Sequence, residues 1–287
     1  MSRLNLNFDF MSHRKLALTI SLVLIIASIG LLLTRGLNLG IDFTGGNVIQ
    51  VEFDNRPEIN GVRSVISGVV AREAMIQNFG EKGIIIRTNE DTEESREAVV
   101  KALQNNYSDM RVTGFEKVGP VVGGELRRQA IIGVSIALVA ILIYITLRFQ
   151  FRFAVVSVVP LVHDVIIALG FFSLTQMEIG SSFIAAILTI VGYSLNNTII
   201  ILDRVRENWG TLSREGIVNL VNKSLNQTLA RTINTTLTTL FPVIALCVWG
   251  GPVLMVFSYA MLVGMIAGTW SSMFVATGLL CEWQGKK

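Results

Sequence analysis

Long apolar stretches alternate with short polar ones along most of this chain, and one long polar segment interrupts the pattern. A helix that crosses a bilayer needs about 20 predominantly apolar residues. Six stretches come close to that length, and the widest interval follows the first. The pattern therefore predicts an all-α membrane bundle of six transmembrane helices, with one α+β domain inserted between helices 1 and 2. The predicted helices are roughly 16–34, 129–147, 153–174, 183–203, 231–249 and 254–278.

The inserted segment changes its periodicity from one short stretch to the next. Residues 48–53 alternate with a period of two, as in a half-buried strand. After Pro57 the apolar residues instead recur at helical spacing as far as Val69. The full order, β-α-β-β-α-β, predicts a split βαβ, ferredoxin-like sandwich. Its elements are strand 48–53, a helix from Pro57, strands 74–79 and 83–87, a helix capped within Asp91–Ser95, and strand 110–118.

The composition assigns the chain to the integral membrane proteins, because 51% of its residues are hydrophobic, 16% are charged and the mean hydropathy is +0.58. Two short loops, 175–182 and 250–251, carry no Lys or Arg, whereas the loops on the other side carry several. The positive-inside rule then places both termini in the cytoplasm and the inserted domain outside. The net charge of +3 reports this topology and predicts no nucleic-acid partner. The cytoplasmic cations are Arg14, Lys15, Arg148, Arg152, Arg204, Arg206, Arg214, Lys223, Lys286 and Lys287.

The predicted domains follow from these elements. Residues 1–35 form the cytoplasmic N-terminus and helix 1, residues 36–127 the extracytoplasmic domain, and residues 128–287 helices 2–6. Apolar and polar residues alternate in the cytoplasmic loop 204–230, as in an amphipathic helix at the membrane surface. Such a helix either docks a partner or covers the bundle.

Polar residues inside predicted helices 4 and 5 are the first candidates for function, because unpaired polar groups are costly in hydrocarbon. Tyr193 and Asn197 share one face of helix 4, and Ser194 and Asn196 flank them. A polar stripe on helix 5 would face them across a hydrated seam. Arg231 is also open to interpretation as an anchor that snorkels to the cytoplasmic interface. The stripe on helix 5 comprises Arg231, Thr235, Thr238 and Thr239.

His163 and Asp164 are the remaining ionisable pair inside a predicted helix, about halfway along helix 3. A charge at that depth is costly, so the pair is a candidate functional site. Adjacent residues point about 100° apart on a helix, so polar contacts between packed helices are an equally open interpretation. No metal-ligand spacing and no His-Glu-x-x-His or Gly-x-Ser-x-Gly motif occurs. The chain is therefore predicted to have no metal, no cofactor and no enzymatic activity.

Two glycine-rich motifs flank the inserted domain, Gly40–Gly46 before it and Val118–Leu126 after it. Glycine permits positive φ and close approach of backbones, so these motifs predict hinges or tight junctions, with ordinary turns as the alternative. Neither motif continues into the Lys-Ser/Thr of a nucleotide-binding loop. The candidate hinge residues are Gly40, Asp42, Gly45, Gly46, Gly119, Pro120 and Gly123.

In this order, around these helices, the motifs resemble the SecF family, the smaller subunits of the bacterial SecD–SecF protein-export complex within the resistance-nodulation-division group. The resemblance covers nearly the whole chain. It implies a bacterial inner-membrane protein that uses the proton-motive force to promote preprotein translocation through the Sec channel. The implied partners are a SecD-type subunit with six further helices, the Sec channel, an unfolded preprotein and the lipid bilayer. The motifs are Gly40–Gly46, Val118–Leu126, His163–Val165, Gly192–Asn208 and Arg231–Thr239.

The chain departs from the family at one position. The resemblance implies that a proton-carrying Asp stands where this chain has Asn197, and that Arg231 is its coupling partner. Asparagine keeps the hydrogen bonding of a protonated aspartic acid but cannot titrate. Three functions stay open: a proton-coupled export subunit, a non-coupling scaffold that stabilises a SecD-like partner, and a related superfamily transporter. For the first, Asn196, Asp164 and His163 are the further proton-coupling candidates.

Overall fold

The structure, a computed structural model, describes residues 8–70, 74–88, 90, 92–148 and 151–284. Within these residues the protein is mostly helical and has one four-stranded sheet. In chain order the elements are α1 (Arg14–Thr34), α2 (Ile41–Thr44), β1 (Gly46–Glu52), α3 (Ile59–Ile66), β2 (Met75–Phe79), β3 (Gly83–Thr88), α4 (Glu93–Asn106), β4 (Arg111–Val118), α5 (Pro120–Arg148), α6 (Phe151–Thr175), α7 (Ser181–Glu207), α8 (Leu212–Trp249), α9 (Gly251–Trp270) and α10 (Thr277–Gln284).

The chain divides into two compact units. The helical unit contains the residues up to Asn38, Val134–Met177 and the residues from Ser182 onward. The sheet unit contains Leu39–Gly133 together with the short turn Glu178–Ser181. Helices α5 and α7 therefore begin in the sheet unit and continue in the helical unit.

Five helical stretches of the described chain are long and apolar enough to cross a membrane. The fourth is 69 residues long and contains both α7 and α8. The structure thus gives five such stretches where the sequence predicts six helices, and the division of the fourth into two crossings stays a prediction. The stretches are Met11–Thr34, Val121–Leu147, Phe151–Thr175, Ser181–Trp249 and Leu254–Gln284.

The first part of α8 packs against α7 within the helical unit. Leu220 and Leu225 are at most 1% exposed and join the same apolar core as Val205 of α7. Of the two interpretations of loop 204–230, the structure therefore supports a helix that covers the bundle. The backbone of α8 departs from helical dihedrals at Gly216, with φ 72° and ψ 161°. Beyond Gly216 the covering helix continues directly into the predicted helix 5.

The sheet unit has the strand order β2-β3-β1-β4, and all neighbouring strands are antiparallel. Ile49 of β1 pairs with Ile86 of β3, and both side chains are fully buried. Val62 of α3 and Leu103 of α4 complete this core on one face of the sheet. The predicted order β-α-β-β-α-β is confirmed.

Helix α3 of the sheet unit is shorter than predicted. It begins at Ile59 rather than at Pro57, because Glu58 has an extended backbone, with φ −65° and ψ 141°, and serves as the N-cap. It ends at Ile66, so Val69 lies beyond it. The apolar period continues past the helix, and periodicity alone therefore misplaced both ends.

Two other helix starts follow local signals. Thr92 Oγ1 accepts a hydrogen bond of 3.3 Å from the N–H of Ser95, which confirms the predicted cap of α4; Asp91 lies outside the described residues. Helix α5 begins at Pro120, ahead of the predicted start at residue 129. Proline loses nothing in the first turn of a helix, where its missing N–H would have no intrahelical partner.

Candidate functional site

A carboxylate is enclosed by α6, α7 and the π-helical segment Ser271–Ala276 that joins α9 to α10. Asp164 of α6 is 0% exposed. Its Oδ2 accepts hydrogen bonds from Ser194 Oγ at 2.6 Å and Ser271 Oγ at 2.9 Å. Its Oδ1 lies 2.8 Å from Nδ1 of His163, so the two adjacent residues do pair. The Asp164 site, as defined here, comprises Asp164, His163, Ser194 and Ser271.

Two glycines of α9 allow the helices to approach the site closely. A Cβ on Gly268 would stand 3.0 Å from Ser194 Cβ and 3.4 Å from Asp164 Oδ2. A Cβ on Gly264 would stand 2.4 Å from Cδ1 of Ile190, which is fully buried. Small residues at such positions let membrane helices pack with their backbones close together. They bring the serines of the π-helical segment within reach of α6 and α7.

The π-helical segment binds α7 at two successive turns. Ser272, like its neighbour Ser271, is fully buried. The Ser272 hydroxyl lies 2.8 Å from Thr198 Oγ1 and 3.3 Å from the carbonyl oxygen of Ser194. Segments of π-helix occur frequently at functional sites. This one connects α9 to both polar turns of α7.

Asn197 lies inside the protein, whereas Asn196 is exposed. Within the part of the chain that the structure describes, both polar atoms of the Asn197 side chain are buried and have no hydrogen-bond partner. The same holds for Tyr193 Oη and Thr232 Oγ1. An unpaired buried polar group costs about 1–3 kcal/mol. No hydrogen bond in the described residues joins Asn197 to the Asp164 site.

The threonines of the polar stripe of α8 donate their hydrogen bonds within their own helix. Thr235 Oγ1 donates to the Arg231 carbonyl at 2.8 Å, and Thr239 Oγ1 donates to the Thr235 carbonyl at 3.0 Å. Thr238 Oγ1 donates to the Asn234 carbonyl at 2.8 Å. A hydroxyl has one proton, so these threonines donate no hydrogen bond to α7. On α7, Ser194 is instead bonded to α6 and Thr198 to the π-helical segment.

The two glycine motifs meet within the sheet unit. Gly45 and Gly46 have φ angles of 72° and 134°, which favour glycine. A Cβ on Gly123 would stand 2.9 Å from the backbone N of Gly45 and 3.2 Å from the carbonyl carbon of Phe43. The backbones therefore touch where a side chain would separate them. This geometry is that of a tight junction.

The remaining motif residues have different surroundings. Asp42 Oδ2 accepts a hydrogen bond of 2.6 Å from the N–H of Ser181, and the N–H of Gly40 donates to the Ile179 carbonyl. A Cβ on Gly119 would meet no atom within 4 Å, and Pro120 opens α5. Asp42 and Gly40 thus contact the turn before α7.

A second charged group lies in the sheet unit. Glu178 Oε2 is 2.5 Å from Nη2 of Arg87, and both side chains are 18% exposed. Burial raises the pKa of Glu178, and the nearby carboxylates of Asp42 and Glu116 raise it further, whereas Arg87 acts against them. The ion pair joins β3 to the same turn.

Comparison with known proteins identifies the family. The profile of the C-terminal part of the SecD/SecF protein-export membrane proteins matches residues 98–286, and the SecD/SecF GG-motif profile matches residues 30–55. The chain belongs to the SecD/SecF family. The predicted resemblance is therefore confirmed, and the junction at Gly45 and Gly46 lies within the region of the family's GG motif.

Individual SecF proteins align with almost the whole chain. Protein translocase subunit SecF of Calditerrivibrio nitroreducens is 40% identical over 283 residues, which cover 96% of this chain and 93% of the relative. The SecF subunit of Desulfurispirillum indicum is 43% identical over 286 residues, covering 96% and 91%.

Solved SecDF structures share the fold. The crystal structure of SecDF, a translocon-associated membrane protein from Thermus thermophilus, is 36% identical, with a TM-score of 0.92 over 99% of this chain. SecDF in its super-membrane-facing form is 35% identical, with a TM-score of 0.76. The chain spans about two fifths of the length of these SecDF chains, 40% in each case.

Several residues of these sites are not predictable from the motifs shared with the SecD/SecF family. Ser271 and Ser272 stand near the end of an apolar helix and resemble ordinary small packing residues. Arg87 and Glu178 lie in distant parts of the sequence, and only the fold pairs them. The sequence marks Glu178 only as a charged residue in the short loop after α6.

Proposed function

We propose that this chain works as the SecF-type subunit of a SecD–SecF complex and promotes preprotein translocation through the Sec channel by using the proton-motive force. In this chain the titratable group is Asp164, and His163 is its ionisable neighbour. One observation carries the proposal: among the described residues, Asp164 is the one fully buried carboxylate, and it lies in a helix able to cross a membrane. The SecF relatives, at about 40% identity, support the part in translocation.

The neighbours of Asp164 serve both of its protonation states. The ionised carboxylate accepts hydrogen bonds from the hydroxyls of Ser194 and Ser271. When Asp164 is protonated, its own hydroxyl can donate, because serine hydroxyls and neutral imidazole also accept. A proton shared with His163 keeps the pair neutral overall, whichever residue holds it. The site can therefore gain and lose a proton with little rearrangement.

Asn197 has a different role in this proposal. Its amide has the shape of a protonated aspartic acid and cannot release a proton. Ser194, one helical turn away on α7, bonds directly to Asp164. Proton coupling through Asp164 therefore acts on α7, the helix that also carries Asn197. The exposure of Arg231 supports its interpretation as a cytoplasmic anchor.

The membrane arrangement is part of the same proposal. The chain crosses the inner membrane six times, with both termini cytoplasmic and the domain 36–127 outside, as the distribution of Lys and Arg supports. Helix α5 exposes large apolar side chains, with Val121 87%, Ile136 63% and Leu147 84% exposed. Lipid and the SecD-type subunit cover this surface. The chain performs no covalent chemistry and needs no cofactor.

The test is proton-gradient-driven completion of preprotein translocation in membrane vesicles without ATP, with the SecD-type partner co-expressed. Asp164→Asn keeps an acceptor oxygen but cannot titrate. We expect it to lower the translocation rate about a hundredfold, the lower end of what one general acid–base group contributes. Ser157→Ala is the matched control, since Ser157 is also fully buried in α6 but, within the described residues, bonds the Phe153 carbonyl alone. Equal rates for Asp164→Asn and the parent would overturn the site.

The scaffold is the second candidate, and the unpaired, non-titratable Asn197 favours it. It predicts that removing the chain lowers the amount of the SecD-type partner, while Asp164→Asn translocates like the parent. The variant Asn197→Asp tests a third possibility, in which position 197 is the coupling site. If only that variant translocates under a proton gradient, position 197 is the coupling site and the parent chain is a locked form.

A further inference from the structure

The short turn between α6 and α7 belongs to the sheet unit, although the chain before and after it belongs to the helical unit. Leu39 pairs with Ile179 as an isolated parallel bridge, and the N–H of Gly40 donates to the Ile179 carbonyl at 2.9 Å. The GG-motif segment that follows α1 therefore holds this turn by backbone hydrogen bonds.

Glycines on both sides of this contact make room for two carboxylates. A Cβ on Gly40 would stand 2.5 Å from Oε1 of Glu178, and a Cβ on Gly180 would stand 2.9 Å from Oδ2 of Asp42. Real Cβ contacts are longer than this, so a methyl group at either position displaces a carboxylate. Each segment thus supplies a glycine where the other supplies an acid.

The two acids have different partners. Asp42 accepts the N–H of Ser181, the first residue of α7, at 2.6 Å. The first N–H groups of a helix have no intrahelical acceptor, and a negative charge is favourable at that end. Glu178 is tied by Arg87 to β3. The clasp, as defined here, comprises Gly40, Asp42, Arg87, Glu178 and Gly180.

We infer that the clasp transmits movement of α7 at the Asp164 site to the sheet unit, an inference that rests on the proposed function. Ser194, which bonds Asp164, lies 13 residues after Ser181 (194 − 181) on the same α-helix. At 1.5 Å per residue this is about 20 Å along the axis. A shift of the helix at Ser194 moves its first residue, which Asp42 holds. Asp42 is therefore a positioning residue, which acts through the first residue of α7.

The test uses the full chain with its SecD-type partner and measures gradient-driven translocation in vesicles. Asp42→Ala removes the acceptor, and Gly180→Ala places a methyl group against it. We expect both to lower the initial rate about fivefold, the factor for losing one helix cap. Asp42→Asn, which keeps an acceptor oxygen, recovers most of the rate. Gly68→Ala is the matched control, because a Cβ there meets no atom within 4 Å, and we expect no change.

Exchanging the charges of Arg87 and Glu178 distinguishes a loss of transmission from a loss of folding. Arg87→Glu and Glu178→Arg should each lower the rate, and the double variant should recover to within about twofold of the parent, because the ion pair is restored. Failure to recover overturns the role of this pair.

Asp164→Asn is measured in parallel, to distinguish a failure of the clasp inference from a failure of the proposed function. If it stops translocation while Asp42→Ala and Gly180→Ala match the parent, the clasp inference is wrong and the proposed function stands. If Asp164→Asn also matches the parent, both are wrong.

Discussion

The Asp164 site holds a fully buried carboxylate and the clasp holds two half-buried ones, and the two sites satisfy them with different donors. Asp164 receives two serine hydroxyls and faces an imidazole. In the clasp, Asp42 receives a backbone N–H, and Glu178 faces a guanidinium. Hydroxyls and neutral imidazole can donate or accept, whereas a backbone N–H and a guanidinium can only donate.

This difference in donors distinguishes a site that can change its protonation state from a site that holds two segments together. A carboxyl group among neighbours that can reverse their hydrogen bonds keeps its partners in both protonation states. A carboxyl group among groups that only donate is best satisfied while it is ionised. The Asp164 site therefore has the chemistry of a proton carrier, and the clasp has the chemistry of a fixed joint. The residue type alone does not decide between these roles.

The largest predicted effect is the loss of stability that follows when the carboxylate of the Asp164 site is removed. Asp164→Ala removes the carboxylate partner of Ser194, Ser271 and His163, and Ser271 keeps the Gly268 carbonyl at 3.2 Å. We expect a loss of about 3 kcal/mol in the free energy of unfolding, measured by denaturant titration in detergent micelles, because several buried polar groups lose a partner. Asp164→Asn keeps an acceptor and should cost about 1 kcal/mol. Equal losses would show that the neighbours do not depend on this acceptor.

A second prediction concerns the close approach that places the serines at the site. Gly264→Ala adds a Cβ 2.4 Å from Cδ1 of the fully buried Ile190. Overpacking of this kind costs about 2 kcal/mol, measured by the same titration. Ile190→Ala alone leaves a cavity, and the double variant should be more stable than the sum of the two single losses implies. Strictly additive losses would contradict the predicted contact.

The sequence predicts the architecture well because the relevant signals are local. Periodicity and turn residues give the β-α-β-β-α-β order, and Thr92 gives the start of α4. Apolar length finds the membrane helices but counts six where the structure has five apolar stretches, because α7 and α8 fall within one of them. Periodicity alone misplaced the ends of α3, since the apolar pattern runs past Ile66.

The candidate sites are only half predictable. Asp164 and Ser194 are visible in the sequence as polar residues in apolar helices, but nothing there joins them. Their contact depends on how α6 and α7 pack, and on the π-helical segment that brings in Ser271. Family resemblance directed attention to Asn197, which the structure leaves without a described partner. Local sequence patterns do not predict such contacts, because they depend on how helices distant in the sequence pack together.

A third prediction weakens the clasp without removing its charge. Arg87→Lys keeps a cation but loses the planar guanidinium, whereas Arg87→Ala leaves the half-buried Glu178 without its cation and beside the carboxylates of Asp42 and Glu116. We expect Arg87→Ala to lower the stability of the sheet unit by about 1 kcal/mol, a modest value because the pair is partly exposed. Arg87→Lys should lose about half of that. The measurement is amide hydrogen exchange of β1 and β3, which reports local opening. No difference between Arg87→Ala and the parent would remove the ion pair from the clasp.

The smallest predicted effect is a pH dependence that sharpens the contrast between holding and switching. Burial raises the pKa of Glu178 above its ordinary value of 4.5, although Arg87 opposes the shift. The folded protein then binds the proton more tightly than the unfolded chain does. The contribution of Glu178 to stability is therefore greatest below pH 4.5 and is lost as the pH rises through the raised pKa.

Amide exchange of β3 and of the turn Glu178–Ser181, corrected for the intrinsic dependence of exchange on pH, checks this sign. Protection in the parent should fall as the pH rises above 4.5, and Glu178→Gln should flatten that slope because the amide does not titrate. Glu94→Gln, at an exposed position of α4, is the matched control and should keep the parent slope. A slope of the opposite sign would mean that Arg87 outweighs burial. Glu178 would then favour its ionised form in the folded protein, as its donor-only partner Arg87 requires.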